Sequence, residues 1–278
     1  VEPTLLALHG ARGAGKDTTY RFIEEWCRES SPALSAVRRA FADKMKWAYM
    51  RMWVPNCTME WAIDFIDQWK NDLDATCGGI FADGDGILLD DSRLSKKQGI
   101  IGQELDDSPL YFIPPVNFRD HMNQFATESA REVYGDDHWV DQVLQTEPTA
   151  RNPEGWKGNF LVPPRTPEED PYSFAHYAVI TDLRVENEVE RVKELGGLCV
   201  KVQRQDAEDK ERRYYEEQGT DPHLFATMLP DDVFDVILVN DDNDMDKSKK
   251  RTYEMMDVIL EEGANYVRSV DGTCWRVR

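Results

Sequence analysis

Residues Thr4–Thr18, TLLALHGARGAGKDT, decide the fold. Thr4 to His9 is a short apolar run that ends at Gly10, the pattern of a buried strand. From about Lys16 to Glu29, Tyr20, Phe22, Ile23 and Trp26 recur at helical spacing. Between them stands Gly10-Ala11-Arg12-Gly13-Ala14-Gly15-Lys16-Asp17-Thr18. A glycine-rich turn that leaves a strand and opens a helix is the context in which backbone N–H groups surround phosphate oxygens. The helix N-terminus adds about half a positive charge to such a cradle. Lys16 is placed to reach the β- and γ-phosphates of a triphosphate and to follow the charge that moves during transfer. Asp17 stands where a hydroxyl usually ligates Mg²⁺. It can hold the metal directly or through water, or Thr18 can supply the oxygen. The loop by itself does not separate a kinase from an ATPase or a GTPase.

Outward from that loop the chain alternates strands and helices. Ala36 to Phe41 reads as a second strand despite its two arginines, followed by helices over Asp43 to Trp53 and Met59 to Leu73. The segment GGIFADGDGILLDD, within about 76–118, has the turns of a hairpin. Asp83 and Asp85 sit in one of those turns, since a twelve-residue calcium loop with its closing glutamate does not fit the register. Pro114-Pro115 precedes a helix from about Arg119 to Tyr134, and another covers Asp137 to Gln145. Residues 147–173 carry six prolines and read as a long surface excursion. Strands at Tyr177 to Thr181, Leu198 to Val202 and Phe234 to Val239 then alternate with helices at Glu186 to Leu195, Ala207 to Gln218 and Met245 to Glu262. The tail, about 265–278, reads as a hairpin around Asp271-Gly272. The pattern implies one α/β domain over 1–278, with a mostly parallel sheet of about five strands flanked by helices and insertions at about 54–117 and 147–173. Ligands of such sheets bind beyond the carboxyl ends of the strands.

Composition narrows the partners. Of 278 residues, 33 are Lys or Arg and 53 are Asp or Glu, so the net charge is −20. That charge repels a phosphodiester backbone and argues against a nucleic-acid polymer as ligand. No apolar run is long enough to span a bilayer, and the first residues lack a secretory pattern, so no membrane partner is expected. The cysteines, Cys27, Cys57, Cys77, Cys199 and Cys274, are odd in number and form no CxxC pair, which suits a cytoplasmic protein without a disulfide framework. No paired histidine spacing points to zinc. No NKxD-like guanine-reading motif follows the loop, and the chain is short for a helicase or motor.

Five segments in order, GARGAGKDTT (10–19), FADKMK (41–46), FRDHMNQFATESAREVYGDDHWV (118–140), VITDLRVENEVE (179–190) and DPHLFATMLPDDVFDVILVND (221–241), resemble bacteriophage deoxynucleoside monophosphate kinases. The resemblance implies a P-loop kinase-like sheet and transfer of the ATP γ-phosphate to a deoxynucleotide 5′-phosphate with Mg²⁺. The Gly-Lys-Asp-Thr variant is typical of that family. The resemblance implies that Gly10, Arg12, Gly13, Ala14, Gly15, Lys16, Asp17 and Thr18 hold ATP, with Arg204 as a lid arginine in a region of about 204–223. Asp43 and Lys46 match an acceptor-binding Phe-Ala-Asp-Pro-Leu-Lys pattern in which Lys44 replaces proline. A solvated helix face is the other reading of Lys46. Arg119, Thr127, Glu128, Arg131 and Trp139 match acceptor-site positions, with Ala126 in place of a family glycine. Trp139 either stacks on a base or packs between helices.

Asp182 and Arg184 lie just past the third main strand. There Asp182 can orient Mg²⁺ or its waters and Arg184 can fork onto the acceptor phosphate; a plain salt bridge is the alternative. Glu188, one turn on, can contact ligand or support Arg184. Which of the basic residues Lys210, Arg212 and Arg213 reaches the phosphates is left open. His223 matches a family histidine whose following Ser-Glu pair is Phe225-Ala226 here. The family resemblance also implies a cytoplasmic enzyme of the infected cell and a homodimer. The other readings are a P-loop kinase for a ribonucleotide or dephospho-coenzyme A, and a nucleotide-binding regulator without turnover.

Overall fold

The computed structural model describes residues 3–52, 56–67, 122, 125–126, 131–144, 155–162, 173–218, 229–240 and 244–262. The chain divides into two compact units, one made of Val1–Phe41 with Trp139–Arg278, the other of Ala42–His138.

In chain order the described elements of the first unit begin with β1 (Thr4–His9), α1 (Lys16–Ser30) and β2 (Ala36–Arg39). The helix α2 (Phe41–Arg51) leads into the second unit, and α3 (His138–Leu144) leads out of it. There follow β3 (Leu161–Val162), β4 (Ser173–Phe174), β5 (Tyr177–Leu183), α4 (Glu186–Glu194), β6 (Leu198–Gln203), α5 (Gln205–Gln218), β7 (Val236–Val239) and α6 (Met245–Glu262). Five strands form one parallel sheet in the order β2-β5-β1-β6-β7, while β3 and β4 pair as a short antiparallel ribbon. This is the α/β, P-loop kinase-like sheet flanked by helices that the alternation implied.

Apart from β2, whose Ala36–Arg39 are half-buried, the strands of the sheet are largely apolar because both faces are covered. On one face Leu6, Leu8, Val179, Val200 and Leu238 pack with Ile23 and Trp26 of α1 and with Met255 and Ile259 of α6. On the other, Leu5, Ala7, Ile180, Cys199 and Ile237 pack with Val140 and Leu144 of α3 and Val189 and Val192 of α4. Successive strand residues serve opposite cores, as the two-residue repeat requires. The chain leaves β1 toward β2 on one side of the sheet and leaves β6 toward β7 on the other. Neighbouring strands whose continuations diverge open a crevice at their carboxyl ends. That crevice holds the Gly10–Lys16 loop.

Several boundaries differ from the sequence expectation. β2 stops at Arg39, because Phe41 already opens α2, and its amide donates to Asp182 Oδ1 at 2.7 Å. β5 and β6 run on to Leu183 and Gln203, and α5 opens at Gln205. α4 ends where Gly196 takes a left-handed φ of 72°, with the Gly196 and Gly197 amides donating to Lys193 and Val192 carbonyls. The proline-rich excursion is not all surface. Gly155–Phe160 forms a 3-10 turn whose Trp156 and Phe160 are buried in the sheet's second core. Its aromatic residues decide that placement over its prolines. The expected hairpins near 76–118 and 265–278, His223 and most of the 119–134 helix lie outside the described residues.

In the second unit, α2 and a helix over 59–67 bury Tyr49, Met50, Ala62 and Ile66. Tyr49 meets Phe125 edge-on at 5.5 Å, and Trp47 Nε1 donates to the Cys57 carbonyl at 3.0 Å. No helix among the described residues is long and apolar enough to cross a membrane.

Candidate phosphate-binding site

The loop between β1 and α1 is shaped by three glycines. Gly10, Gly13 and Gly15 have φ of 154°, 85° and 106°, conformations that side chains disfavour. Gly15 is the N-cap of α1 and has no side chain to cap it, so the first helical amides are left for a ligand or water. Gly10 lies so close to β6 that an added Cβ would stand 2.4 Å from the Val202 carbonyl oxygen.

Lys16 folds over this loop. Its Nζ donates to the Gly10 carbonyl at 2.6 Å and to the Ala11 carbonyl at 3.1 Å. Burial lowers its pKa, and the Arg184 guanidinium lowers it further, against the pull of Glu211, Asp17 and Asp182. Lys16 therefore sits in a field that an anionic ligand would relieve.

Asp17 is exposed, and its carboxylate lies 3.6 Å from Arg38 Nε at the end of β2. Asp182, next to last in β5, ties down the first amide of α2 through Oδ1. Arg184 is exposed just beyond. Its amide and that of Val185 donate to Glu188 Oε2 at 2.5 and 3.2 Å. Buried Glu188 thus acts on the backbone at the start of α4, a capping contact. Arg204 at the end of β6 makes a two-point pair with Asp206, at 2.6 and 2.9 Å, and its Nη1 reaches the Gly13 carbonyl at 3.4 Å. Lys210, Arg212 and Arg213 each face Asp206 or Asp209 on their own helix.

The first unit therefore brings together Gly10, Arg12, Gly13, Ala14, Gly15, Lys16, Asp17, Thr18, Asp182, Arg184 and Arg204. Trp139, in the same unit, is buried. Asp43, Lys46 and Arg131 belong to the second unit. There buried Lys46 donates to both carboxylate oxygens of Asp67, at 2.8 and 2.9 Å, and lies 3.8 Å from Asp43. Lys46 is thus a paired, buried cation rather than a solvated helix face. Arg119, Thr127 and Glu128 lie outside the described residues.

Three residues of the site carry no motif. Glu211 of α5 accepts from the Arg12 amide at 3.2 Å, so a carboxylate stands at the rim of the loop. Asn240, just past β7, donates from Nδ2 to the Ala14 carbonyl at 3.0 Å. His9 is the last residue of β1, stacked on Phe234 at 4.9 Å with Nδ1 3.0 Å from the Leu183 carbonyl. A carbonyl only accepts, so Nδ1 carries the proton.

Burial pushes the His9 pKa down to about 4; the Leu183 bond opposes this, and Lys16 and Lys201 reinforce it. The folded protein holds His9 neutral while the unfolded chain protonates near pH 6.5. Its contribution to stability is full above pH 6.5 and falls as the pH drops toward 4. The full loss is about 3 kcal/mol. Denaturant unfolding against pH will show a shallower fall between pH 6.5 and 4 for His9→Gln than for the native chain. Parallel curves contradict this placement of His9.

Among the described residues no group of three or more His, Cys, Asp or Glu could hold a resident metal ion. Mg²⁺ carried by a nucleotide needs only one or two carboxylates besides phosphates and water. Asp17 and Asp182, beside the loop, fit that smaller demand. No protein-family model matches the chain, and no curated protein matches it.

Proposed function

We propose that this protein is a deoxynucleoside monophosphate kinase that transfers the ATP γ-phosphate to a dNMP, giving dNDP and ADP. The observation that carries the reading is the Gly10–Thr18 loop at the carboxyl edge of a parallel sheet, with Lys16 folded across it and Asp182 and Arg184 at the next strand end. Loop amides and the start of α1 bind the triphosphate. Lys16 then exchanges its two carbonyl partners for phosphate oxygens and follows charge toward the leaving group.

The acceptor 5′-phosphate is the nucleophile and is already ionised near neutral pH, so no strong general base is required. Arg184, just past β5 in the first unit, offsets the repulsion between the two anions. Asp182 and Asp17 or Thr18 would hold Mg²⁺ or its waters, and the ion would supply charge neutralisation at the phosphates. Positioning and charge neutralisation thus carry the catalysis.

A panel of normal and modified dNMPs, assayed with ATP and Mg²⁺ for ADP formation and product mass, tests the reading. Phosphorylation of at least one dNMP is expected. ATP hydrolysis without a phosphorylated acceptor overturns it, and preference for a ribonucleotide or dephospho-coenzyme A moves the protein to another kinase class. Tight nucleotide binding without turnover, unaltered by Lys16→Ala, favours a regulator.

A further inference from the structure

We propose that Asn240 is a positioning residue that sets the orientation of the Ala14–Gly15 peptide in the nucleotide loop, an inference that rests on the ATP reading of that loop. Asn240 joins three elements. Its backbone amide donates to the Gln203 carbonyl at 2.7 Å, which carries the β6–β7 pairing one step past Val239. Its Nδ2 donates to the Ala14 carbonyl at 3.0 Å. Its Oδ1 accepts from the Ser248 hydroxyl of α6. Ser248 is itself buried, and its carbonyl accepts from Thr252 Oγ1 at 2.9 Å.

The side-chain amide has one permitted orientation. The Ala14 carbonyl can only accept, so the NH₂ group must face it, and Oδ1 is left for the Ser248 proton. The arrangement also explains the residue at position 15. A Cβ there would stand 2.8 Å from Asn240 Nδ2, so glycine lets the amide approach. The peptide unit is planar and trans, so its C=O and N–H point in opposite directions. Holding the Ala14 C=O on Asn240 aims the Gly15 N–H the other way, as a fixed donor for a phosphate oxygen. A donor aimed before the ligand arrives needs no reorganisation when it binds.

The test compares the full chain with Asn240→Ala, Asn240→Asp and Ser248→Ala. The readouts are MgATP affinity by calorimetry, KM for ATP and for the dNMP, and thermal unfolding. Asn240→Ala loses both side-chain hydrogen bonds, of which the one to Ala14 bears on the loop, and should weaken MgATP about fivefold. Asn240→Asp turns a carboxylate oxygen toward the Ala14 carbonyl and the triphosphate, and should weaken it on the order of 50-fold. Ser248→Ala leaves the loop contact but frees the amide, and should weaken MgATP about twofold to threefold. KM for ATP rises most in Asn240→Asp, less in Asn240→Ala and least in Ser248→Ala, while KM for the dNMP stays constant.

If Asn240→Asp does not fold, the other two variants carry the same comparison. Native affinity for MgATP in the Asn240 variants overturns the inference while the ATP reading stands. So do equal losses toward both substrates that track the loss of folded protein, the mark of a merely structural role. A native chain that binds no MgATP overturns the ATP reading and the inference together.

Discussion

Lys16→Ala is expected to lower kcat/KM for ATP by on the order of 10³-fold, while the protein stays folded. The two effects separate because of what Lys16 touches. Its Nζ contacts are the Gly10 and Ala11 carbonyls, both on a loop at the sheet's edge where water can replace the lost donor. That exchange costs about 1 kcal/mol. The removal also relieves a cation whose pKa is lowered by burial and by the nearby Arg184 charge. The loss in transfer is larger because, on the proposed mechanism, Lys16 meets charge that develops only as the γ-phosphate moves. Lys16→Arg should not restore activity, since a planar guanidinium is bulkier than the ammonium that fits between the two carbonyls. Steady-state kinetics with a thermal melt on the same samples decide the point. Activity retained by Lys16→Ala contradicts the mechanism.

Gly10→Ala is expected to be the most damaging small substitution in the loop. A methyl group there would stand 2.4 Å from the Val202 carbonyl oxygen and 3.3 Å from Ala14 Cβ, at a φ of 154° that side chains avoid. The obstacle is the backbone of a central strand, which cannot swing aside as a side chain can. Steric overlap and backbone strain together should cost about 3–5 kcal/mol of stability. Gly13→Ala is the control: its φ is 85°, but an added Cβ meets nothing within 4 Å, so only the conformational penalty of about 1–2 kcal/mol applies. Urea unfolding of the two variants should separate them clearly. Equal stability of Gly10→Ala and the native chain contradicts the close packing of β1 against β6.

The strand, loop and first helix were legible because their signals are local: four consecutive apolar residues, three glycines and a helical stripe. Four strands of the sheet followed for the same reason, as short apolar runs with a helix beside them, while β2 carries Arg38 and Arg39 and followed from the alternation. The residues that shape the loop from outside were not legible. Asn240 bonds a residue 226 positions away and Glu211 one 199 positions away, and neither sits in a pattern that marks it. A polar residue directly after an apolar strand was the one available hint for Asn240, because strand ends line the crevice in such sheets. Glu188 was legible as one turn past Arg184, but not as a cap, because a carboxylate can serve a backbone amide as well as a ligand. The proline count of 147–173 concealed Trp156 and Phe160, whose burial outweighs the turns around them.

The most direct measurement is a crystal structure of the protein with ATP and Mg²⁺. The account predicts the β- and γ-phosphates inside the Gly10–Thr18 loop, with Lys16 Nζ moved from the Gly10 and Ala11 carbonyls onto phosphate oxygens and Asp182 facing the metal or its waters. A loop without nucleotide at saturating ATP, with Lys16 Nζ still on those two carbonyls, contradicts it.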